Sequence, residues 1–205
     1  MQYHLNGFNA GDPDVHPAAP GQRRAGGPLP ETVDVLIAGS GPAGLCLAAQ
    51  LAGVPQIRTL LVEPKLGPME KGQADGISVR SMEMFQAFGF AEKVMRESVW
   101  INETTFWAPG ADGSPRRVAR VQDVPDGTSE MPHVLINQAR VHDMFLDIMR
   151  NAPTRLVPDY GLKVADLTGA RYAGAHFQRL AKAAPTSPAD RERVALAVGF
   201  AALLT

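Results

Sequence analysis

The pattern of apolar and polar residues is clearest between residues 33 and 63, where it predicts a strand, a helix and a second strand. "TVDVLIAG" is a run of β-branched and apolar residues that ends at a glycine, which is typical of a strand buried on both faces. "PAGLCLAAQLAG" predicts a helix, with Pro42 in its first turn and Gly53 at its end. "IRTLLVE" predicts the next strand. The three segments together form a βαβ unit with parallel strands.

Further along the chain, the pattern predicts two more helices and several short strands. Ser78 can cap a helix whose apolar residues recur every third position and which ends at Gly89. "VWINETTFWAP" and "RRVARVQDV" predict strands on either side of a turn, and "HVLIN" predicts another. Asn137 can cap the helix "QARVHDMFLDIMR". The predicted fold class is therefore α/β, a partial three-layer Rossmann-type domain with a small β-rich insertion.

Both ends of the chain differ from this central part. Residues 9–30 are rich in Pro and Gly without apolar periodicity, which predicts an extended arm. From about Thr168 the sequence is rich in Ala and Arg and lacks β alternation, and Ser187 followed by Pro188 is a good helix start. We therefore expect three parts: an N-terminal arm (1–32), a partial nucleotide-binding domain (33–167) and a divergent tail with helical character (168–205).

Composition and charge narrow the class of partner. The chain has 205 residues, with 20 basic and 21 acidic side chains and a net charge of −1, so it offers no strong field for nucleic acid or an anionic membrane. Its longest apolar run is too short to span a bilayer. The single cysteine, Cys46, cannot form an internal disulfide, and no signal peptide begins the chain, so we expect a cytoplasmic protein with small-molecule partners.

A glycine motif lies between the first strand and the first helix. Gly39, Gly41 and Gly44 have the spacing G-x-G-x-x-G, which permits a tight turn, a close approach of the backbone to a pyrophosphate, and close packing of helix on strand. Glu63 follows about 20 residues later at the end of the second strand, where a carboxylate can accept hydrogen bonds from a ribose. The motif predicts a dinucleotide site; the alternative is a tight turn with a solvated Glu63.

Several longer stretches are more specific than the glycine motif. "GSGPAG", "GQADGISVRSMEMFQAFGF" and "NQARVHD" resemble the flavin-dependent aromatic hydroxylases of the phenol hydroxylase type. "MQYHLNGF", "WINETTFW" and "VQDVPDGTSEMPHVLINQARVHDMFLDIMRNAP" resemble, within that family, the hydroxylases of 3-hydroxybenzoate. The similarity runs from Met1 to about Leu167. It implies an FAD-binding domain, NADPH as reductant, and molecular oxygen and a small phenolic acid such as 3-hydroxybenzoate as substrates.

The resemblance also implies roles for individual residues that contact the cofactor. It places the three glycines at the FAD pyrophosphate and Glu63 at the adenosine ribose. Arg80, in "VRSMEMF", would contact the phosphate and ribityl region, and Gln138, in "NQARVHD", would lie beside the ribityl chain and the flavin. An arginine donates well to phosphate, and a glutamine can both donate and accept. Without the resemblance, Arg80 is better explained as an exposed helix residue.

Two further residues match positions that contact the substrate in this family. Asp75, in "GQADG", would accept the phenolic proton as a general base. His133, in "MPHVLIN", would recognise the carboxylate of the aromatic acid. From the sequence alone, Asp75 is better explained as part of an Asp-Gly turn, and His133 as a residue hydrogen-bonded locally. No metal ligand set is predicted.

The resemblance also implies parts that this sequence does not match. These are an Asp-Gly segment and a Gly-Asp segment at the flavin, a substrate sheet, and the C-terminal domain through which the family forms homodimers. We therefore expect an N-terminal fragment of a hydroxylase that carries an unrelated end. The alternative is a catalytically incompetent nucleotide-binding module or interaction remnant. A complete NAD-dependent dehydrogenase fits less well, because the length leaves little room for a substrate domain.

Overall fold

The computed structural model describes residues 14–23, 26–167, 173–179 and 194–195. The chain divides into two compact units. Unit 1 comprises residues 1–68 and 142–205, and unit 2 comprises residues 69–141. The first eight residues, which contribute to the family resemblance, lie outside the described residues.

Unit 1 contains the predicted βαβ motif. Strand β1 (Val35–Ala38), helix α1 (Pro42–Ala52) and strand β2 (Thr59–Glu63) follow one another, and β1 pairs with β2 in parallel. Strand β8 (Asp159–Tyr160) pairs in parallel with the other side of β2, which gives the strand order β1-β2-β8. Helix α1 ends at Gly53, as its sequence predicts. The apolar core of this sheet contains Val33, Leu36, Leu60, Val62 and Leu162.

Helix α4 (Gln138–Asn151) is the helix predicted after Asn137, and the Asn137 side chain caps it by accepting from the backbone N–H of Ala139 at 2.9 Å. Its apolar residues are buried because they recur at helical spacing on one face. They include Val141, Met144, Phe145, Leu146 and Met149. Among the described residues, no helix has the length and apolar character needed to cross a membrane.

The C-terminal part of unit 1 corrects one expectation. Strands β9 (Leu162–Leu167), β10 (Ala173–Arg179) and β11 (Val194–Ala195) form an antiparallel sheet in the order β11-β10-β9. Where the structure describes the tail, it is therefore extended rather than helical. Pairing with β9 outweighs the helix propensity of the alanines, because strand formation depends on neighbouring strands more than on intrinsic preference. The helix start predicted at Ser187 lies outside the described residues.

Unit 2 contains two small antiparallel sheets and two helices. One sheet has the order β3-β7-β4, and the other is the hairpin of β5 and β6. The predicted helix α2 and the strands β6 and β7 are confirmed, whereas the single strand predicted over residues 99–109 is divided at Asn102 into β4 and β5, which belong to different sheets. Helix α3 and the two-residue β3 were not predicted. The elements are β3 (Gly76–Ile77), α2 (Val79–Ala87), α3 (Ala91–Glu97), β4 (Val99–Ile101), β5 (Glu103–Pro109), β6 (Pro115–Gln122) and β7 (His133–Leu135).

The end of α2 follows from a single glycine. Gly89 has a φ of +83°, a left-handed conformation that favours glycine, and its N–H donates to the Gln86 carbonyl at 3.1 Å. The N–H of Phe90 donates to the Phe85 carbonyl at 3.0 Å, and the two rings lie 4.5 Å apart between centroids. These are the bonds and the apolar contact of a Schellman motif. The predicted stop at Gly89 is confirmed, and α3 begins directly after it.

The described part of the N-terminal arm, residues 14–23 and 26–32, contains no helix or strand, in agreement with its composition. It is nevertheless fixed to unit 1. The Arg23 guanidinium donates to both oxygens of Asp159, at 2.5 and 2.9 Å, and the N–H of Gly26 donates to the same carboxylate at 2.9 Å. The N–H of His16 donates to the Asn151 carbonyl at 2.9 Å. The arm is thus a strap that holds a buried carboxylate at the start of β8.

Candidate functional site

The glycine loop of unit 1 combines two different requirements for glycine. Gly39 has a φ of +104°, and a Cβ at Gly44 would lie only 2.0 Å from the Gly39 carbonyl oxygen, so both positions are fixed by the turn itself. Gly41 differs from them. Its φ is −69°, and a Cβ there would meet nothing within 4 Å. The protein's own packing does not require glycine at position 41, whereas close approach of a ligand to the backbone would.

The start of α1 has the features of an anion site. Gly41 is its N-cap and offers no side-chain acceptor, Pro42 occupies the first turn, and no acidic residue lies in that turn. The first N–H groups of a helix have no partner within the helix, and the helix dipole adds positive potential at this end. The open space at Gly41 and the uncapped N–H groups together fit a phosphate group.

Glu63 lies at the end of β2 and connects this strand to the glycine loop. Its Oε2 accepts from the Ser40 N–H at 2.7 Å and from the Ser40 hydroxyl at 3.0 Å, and its Oε1 accepts from the Lys65 N–H at 3.0 Å. The residue is 8% exposed. Burial alone would raise its pKa, but the hydrogen bonds from Lys65 and Ser40 outweigh this and hold the pKa below its usual value. Glu63 is therefore a carboxylate, and it has accepted three of the roughly four hydrogen bonds that a carboxylate can take.

Two buried polar groups in unit 1 are affected by the charge of Glu63. His142 Nδ1 and the Tyr160 hydroxyl are both buried, and neither has a hydrogen-bond partner among the residues that the structure describes. Burial lowers the pKa of His142, so its imidazole is neutral near pH 7. Burial raises the pKa of Tyr160, and the negative charge of Glu63 adds to this effect. Tyr160 is also the residue of β8 that pairs with Glu63.

In unit 2, Gln138 is held against a short glycine-containing segment. Its Oε1 accepts from the Gln73 N–H at 2.8 Å, which directs the amide. A Cβ at Gly72 would lie 2.9 Å from Asn137 Oδ1 and 2.9 Å from Gln138 Cβ, so this close packing requires glycine. The amide group of Gln138 is thus fixed by its oxygen, and its NH₂ group is the part that can donate to a ligand.

Asp75 and Arg80 also belong to unit 2, and both are exposed. The Asp75 carbonyl accepts from the Ile136 N–H at 2.8 Å, which fixes its backbone beside β7 while the side chain remains at the surface. The side chain of Arg80 is 89% exposed on α2 and pairs with Glu83 at 3.1 Å, one helical turn away. This is the exposed helix position that the sequence alone favours for Arg80.

His133 begins β7, and the structure gives it a partner that the sequence did not reveal. Its Nδ1 lies 2.8 Å from Asp123 Oδ2. Its Nε2 lies 3.5 Å from the place that a Cβ would take at Gly76, the residue after Asp75. His133 therefore lies beside the residue that follows Asp75.

Sequence reasoning missed Ser40 and Asp123, which orient Glu63 and His133. Ser40 stands inside the glycine motif, and a hydroxyl there is a usable signal once the motif is found. Asp123 comes directly after β6 and gives no local signal, because its partner lies ten residues further along the chain.

Two clefts of moderate size do not coincide with these residues. One, of about 740 Å³ in unit 2, is lined by residues of β4 and by the segment from Gln122 to Pro132, without Asp75 or His133. The other, of about 370 Å³ in unit 1, is lined by Arg23, Thr32 and Arg58 among others, without the glycine loop or Glu63. We therefore assign the candidate site from the chemistry of the glycine loop and its neighbours and not from cleft size.

The parallel sheet, glycine loop and terminal glutamate define a Rossmann-type nucleotide-binding fold. The family model for the FAD binding domain matches residues 32–160, and the chain belongs to this family. Solved structures agree on the fold. The chain superposes on p-nitrophenol 4-monooxygenase PnpA from Pseudomonas putida with a TM-score of 0.64 at 18% identity. The match covers 82% of this chain and 40% of that one. The flavin-dependent monooxygenase PieE, solved with FAD and substrate, gives a TM-score of 0.62 at 20% identity, over 80% of this chain and 29% of that one.

Curated relatives confirm the resemblance to flavin-dependent aromatic hydroxylases. The chain is 56% identical to 3-hydroxybenzoate 4-monooxygenase of Comamonas testosteroni over 170 residues, which are 82% of this chain and 26% of that protein. It is 41% identical to the FAD-dependent monooxygenase terD of Aspergillus terreus, over 66% of this chain and 22% of that protein. The chain thus spans about a quarter of the length of these relatives.

Proposed function

We propose that this chain supplies the FAD-binding portion of a flavin-dependent monooxygenase that hydroxylates a phenolic aromatic acid such as 3-hydroxybenzoate, with NADPH as reductant. The observation that carries the proposal is the 56% identity to 3-hydroxybenzoate 4-monooxygenase, which extends over 82% of the chain. FAD, when bound, supplies the redox chemistry with molecular oxygen. The residues of this chain bind and orient the cofactor and the aromatic ring.

The proposed cofactor contacts follow the chemistry of the side chains. Gly41 and the first N–H groups of α1 bind the pyrophosphate. Glu63 uses its remaining acceptor capacity for the adenosine ribose while its other bonds hold the glycine loop. Arg80 exchanges its exposed pair with Glu83 for a phosphate, and Gln138 donates from its NH₂ group to the ribityl chain or flavin.

The proposed substrate contacts belong to unit 2. Asp75 accepts the phenolic proton, which makes the ring richer in electrons for hydroxylation. His133 binds the carboxylate of the aromatic acid. Support comes from Gly76, which follows Asp75 directly and lies against His133 Nε2. Because Gly76 has no side chain, none stands between Asp75 and His133 at this position.

A second candidate is a nucleotide-binding module that does not hydroxylate. It is supported by the hydrogen bonds that join Ser40 of the glycine loop to Glu63, because both residues belong to unit 1. Such a module would bind FAD or its adenosine diphosphate half without consuming NADPH.

The first test is a titration of the purified chain with FAD, followed by flavin fluorescence and the visible spectrum. Gly41→Ala is the sharpest variant, because its Cβ meets nothing in the protein and yet obstructs the approach of a phosphate. We expect it to leave the chain folded, with at most a small loss of stability because alanine is a poorer N-cap than glycine, and to weaken FAD binding by about tenfold or more. Glu63→Ala and Arg80→Ala should also weaken FAD binding. Arg58→Ala is the control and should not weaken it, because Arg58 forms an exposed ion pair with Asp34 and has no proposed contact with FAD.

Unchanged FAD affinity in folded Gly41→Ala would contradict the pyrophosphate assignment. A second assay distinguishes the monooxygenase from the binding module. It measures whether NADPH is consumed when FAD and 3-hydroxybenzoate are added. Turnover supports the monooxygenase, and saturable FAD binding without turnover supports the binding module.

A further inference from the structure

The imidazole of His133 belongs to a chain of three hydrogen-bonded side chains within unit 2. The Thr104 hydroxyl donates to Asp123 Oδ1 at 3.2 Å, and Asp123 Oδ2 lies 2.8 Å from His133 Nδ1. The Asp123 side chain is only 16% exposed and that of His133 is 31% exposed. Each carboxylate oxygen of Asp123 therefore has its own partner, so that rotation of the carboxylate would break both bonds.

The backbone fixes two members of this chain of side chains, Asp123 and His133. The N–H of Asp123 donates to the Asn102 carbonyl at 3.0 Å, directly beyond the last pair of the β5–β6 hairpin. His133 is paired with Ile101 in the sheet of β4 and β7. The backbones of Asp123 and His133 are thus held against two consecutive residues, Asn102 and Ile101. These backbone contacts bring the two side chains together.

The bond to Asp123 determines which ring nitrogen of His133 is available. An ionised carboxylate only accepts hydrogen bonds, so the proton of the neutral imidazole must be on Nδ1. The other nitrogen, Nε2, lies beside Gly76. It is 3.5 Å from the position that a Cβ would take at this glycine. Nε2 is therefore presented beside the residue that follows Asp75.

We propose that Asp123 is a positioning residue for His133: it holds the proton on Nδ1 and presents Nε2 toward Gly76 for the carboxylate of the substrate. The inference rests on the proposed function, in which His133 recognises that carboxylate. Because a substrate carboxylate offers only acceptors, Nε2 must carry a proton in the complex, and the ring is then an imidazolium. The Asp123 carboxylate balances this positive charge in a partly buried place. Thr104 supports Asp123 in turn.

The tautomer of His133 tests this inference without any cofactor. In the whole chain labelled with ¹⁵N, the imidazole nitrogen shifts distinguish a proton on Nδ1 from one on Nε2, and His133→Gln identifies the signals. We expect the Nδ1–H form in the wild type and a shift toward Nε2–H in Asp123→Ala. Asp126→Ala is the matched control, because the described hydrogen bond of the Asp126 carboxylate is accepted from the nearby Gln122 side chain. Thr104→Val should produce a smaller shift in the same direction.

A wild-type Nε2–H tautomer, or an unchanged tautomer in folded Asp123→Ala, would overturn the proposal. If Asp123→Ala does not fold, the wild-type spectrum and Thr104→Val decide the question. Titration with 3-hydroxybenzoate, and with phenol as the ligand without a carboxylate, then tests the role. We expect the carboxylate to perturb the His133 signals saturably and Asp123→Ala to bind it about tenfold more weakly.

Equal affinity of wild type and Asp123→Ala for 3-hydroxybenzoate would overturn the positioning role alone. Failure of the proposed function has a different signature: FAD does not bind, and 3-hydroxybenzoate leaves every His133 signal of the wild type unchanged.

Discussion

Glu63 shows how far one residue could be predicted from the sequence. Its place at the end of β2, at the spacing expected after the glycine motif, predicts an acid at the nucleotide site. Its three hydrogen bonds to Ser40 and Lys65 could not be predicted, because they depend on how the turn after β1 closes on the end of β2. His133 is a similar case, since the pattern gives its strand but not its contact with Asp123.

At the residue scale, the buried His142 predicts a dependence of stability on pH. Burial lowers the pKa of its imidazole below the ordinary value of 6.5, so the unfolded chain binds a proton more readily than the folded one. The stability that comes from the neutral ring is complete above pH 6.5 and is lost as the pH falls through the folded-state pKa. We expect the unfolding temperature of the wild type to fall as the pH is lowered below about 6.5.

In His142→Phe this fall should be smaller, because the ring that titrates is gone while an aromatic side chain still fills the space. Thermal unfolding followed by circular dichroism across the pH range measures the difference. His16→Gln serves as the control, since His16 is exposed and should leave the pH dependence as in the wild type. Parallel curves for wild type and His142→Phe would contradict the assignment.

At the scale of elements, the ion pair between Arg23 and Asp159 predicts that the N-terminal arm stabilises the sheet of unit 1. The Asp159 side chain is almost fully buried, so removing Arg23 leaves a buried charge with only the Gly26 N–H among the bonds described. We expect Arg23→Ala to lower the free energy of unfolding by about 2 kcal/mol, the range for hydrogen bonds to a charged group.

Chemical denaturation with urea measures this loss. Arg58→Ala is the matched control, because Arg58 also pairs with an aspartate in unit 1 but the pair is exposed, and its loss should have a much smaller effect. If the two variants were equally stable, the arm would not hold β8.

The helices and strands themselves were largely predictable. The βαβ motif, α2 with its end at Gly89, the β5–β6 hairpin and α4 follow from apolar periodicity, caps and turns, which act within a few residues. What could not be predicted depends on distant partners. Strand β8 has only two residues and forms because β2 lies beside it, and β10 forms against β9. The contact that fixes the arm could not be predicted, because Asp159 is 136 residues away from Arg23 in the sequence.

At the scale of the whole molecule, the surface of the β5–β6 hairpin predicts self-association. Trp107 is 61% exposed, Val118 is 52% exposed and Phe106 is 51% exposed, although all three are large apolar side chains. A two-stranded sheet also presents unpaired edges, and exposed edges with apolar residues favour association. We expect the weight-average molar mass of the wild type, measured by light scattering, to rise with protein concentration.

Trp107→Lys should reduce this rise, because a charge on the hairpin opposes edge-to-edge contact. Leu66→Lys is the control at an equally exposed apolar position in unit 1, where Leu66 is 59% exposed. An equal reduction by both substitutions would indicate a general effect of charge and would rule out the hairpin as the surface responsible.

The two kinds of glycine in the loop after β1 have a consequence for how such motifs change during evolution. Gly44 is needed by any chain that folds this way, because a methyl group there would collide with the Gly39 carbonyl oxygen. Selection for folding alone would keep it, even in a descendant that has stopped binding nucleotide. Gly41 has no such neighbour. A survey of related genes should therefore use the second glycine of the motif, and not the third, to tell lineages that still use a cofactor from those that have kept only its fold.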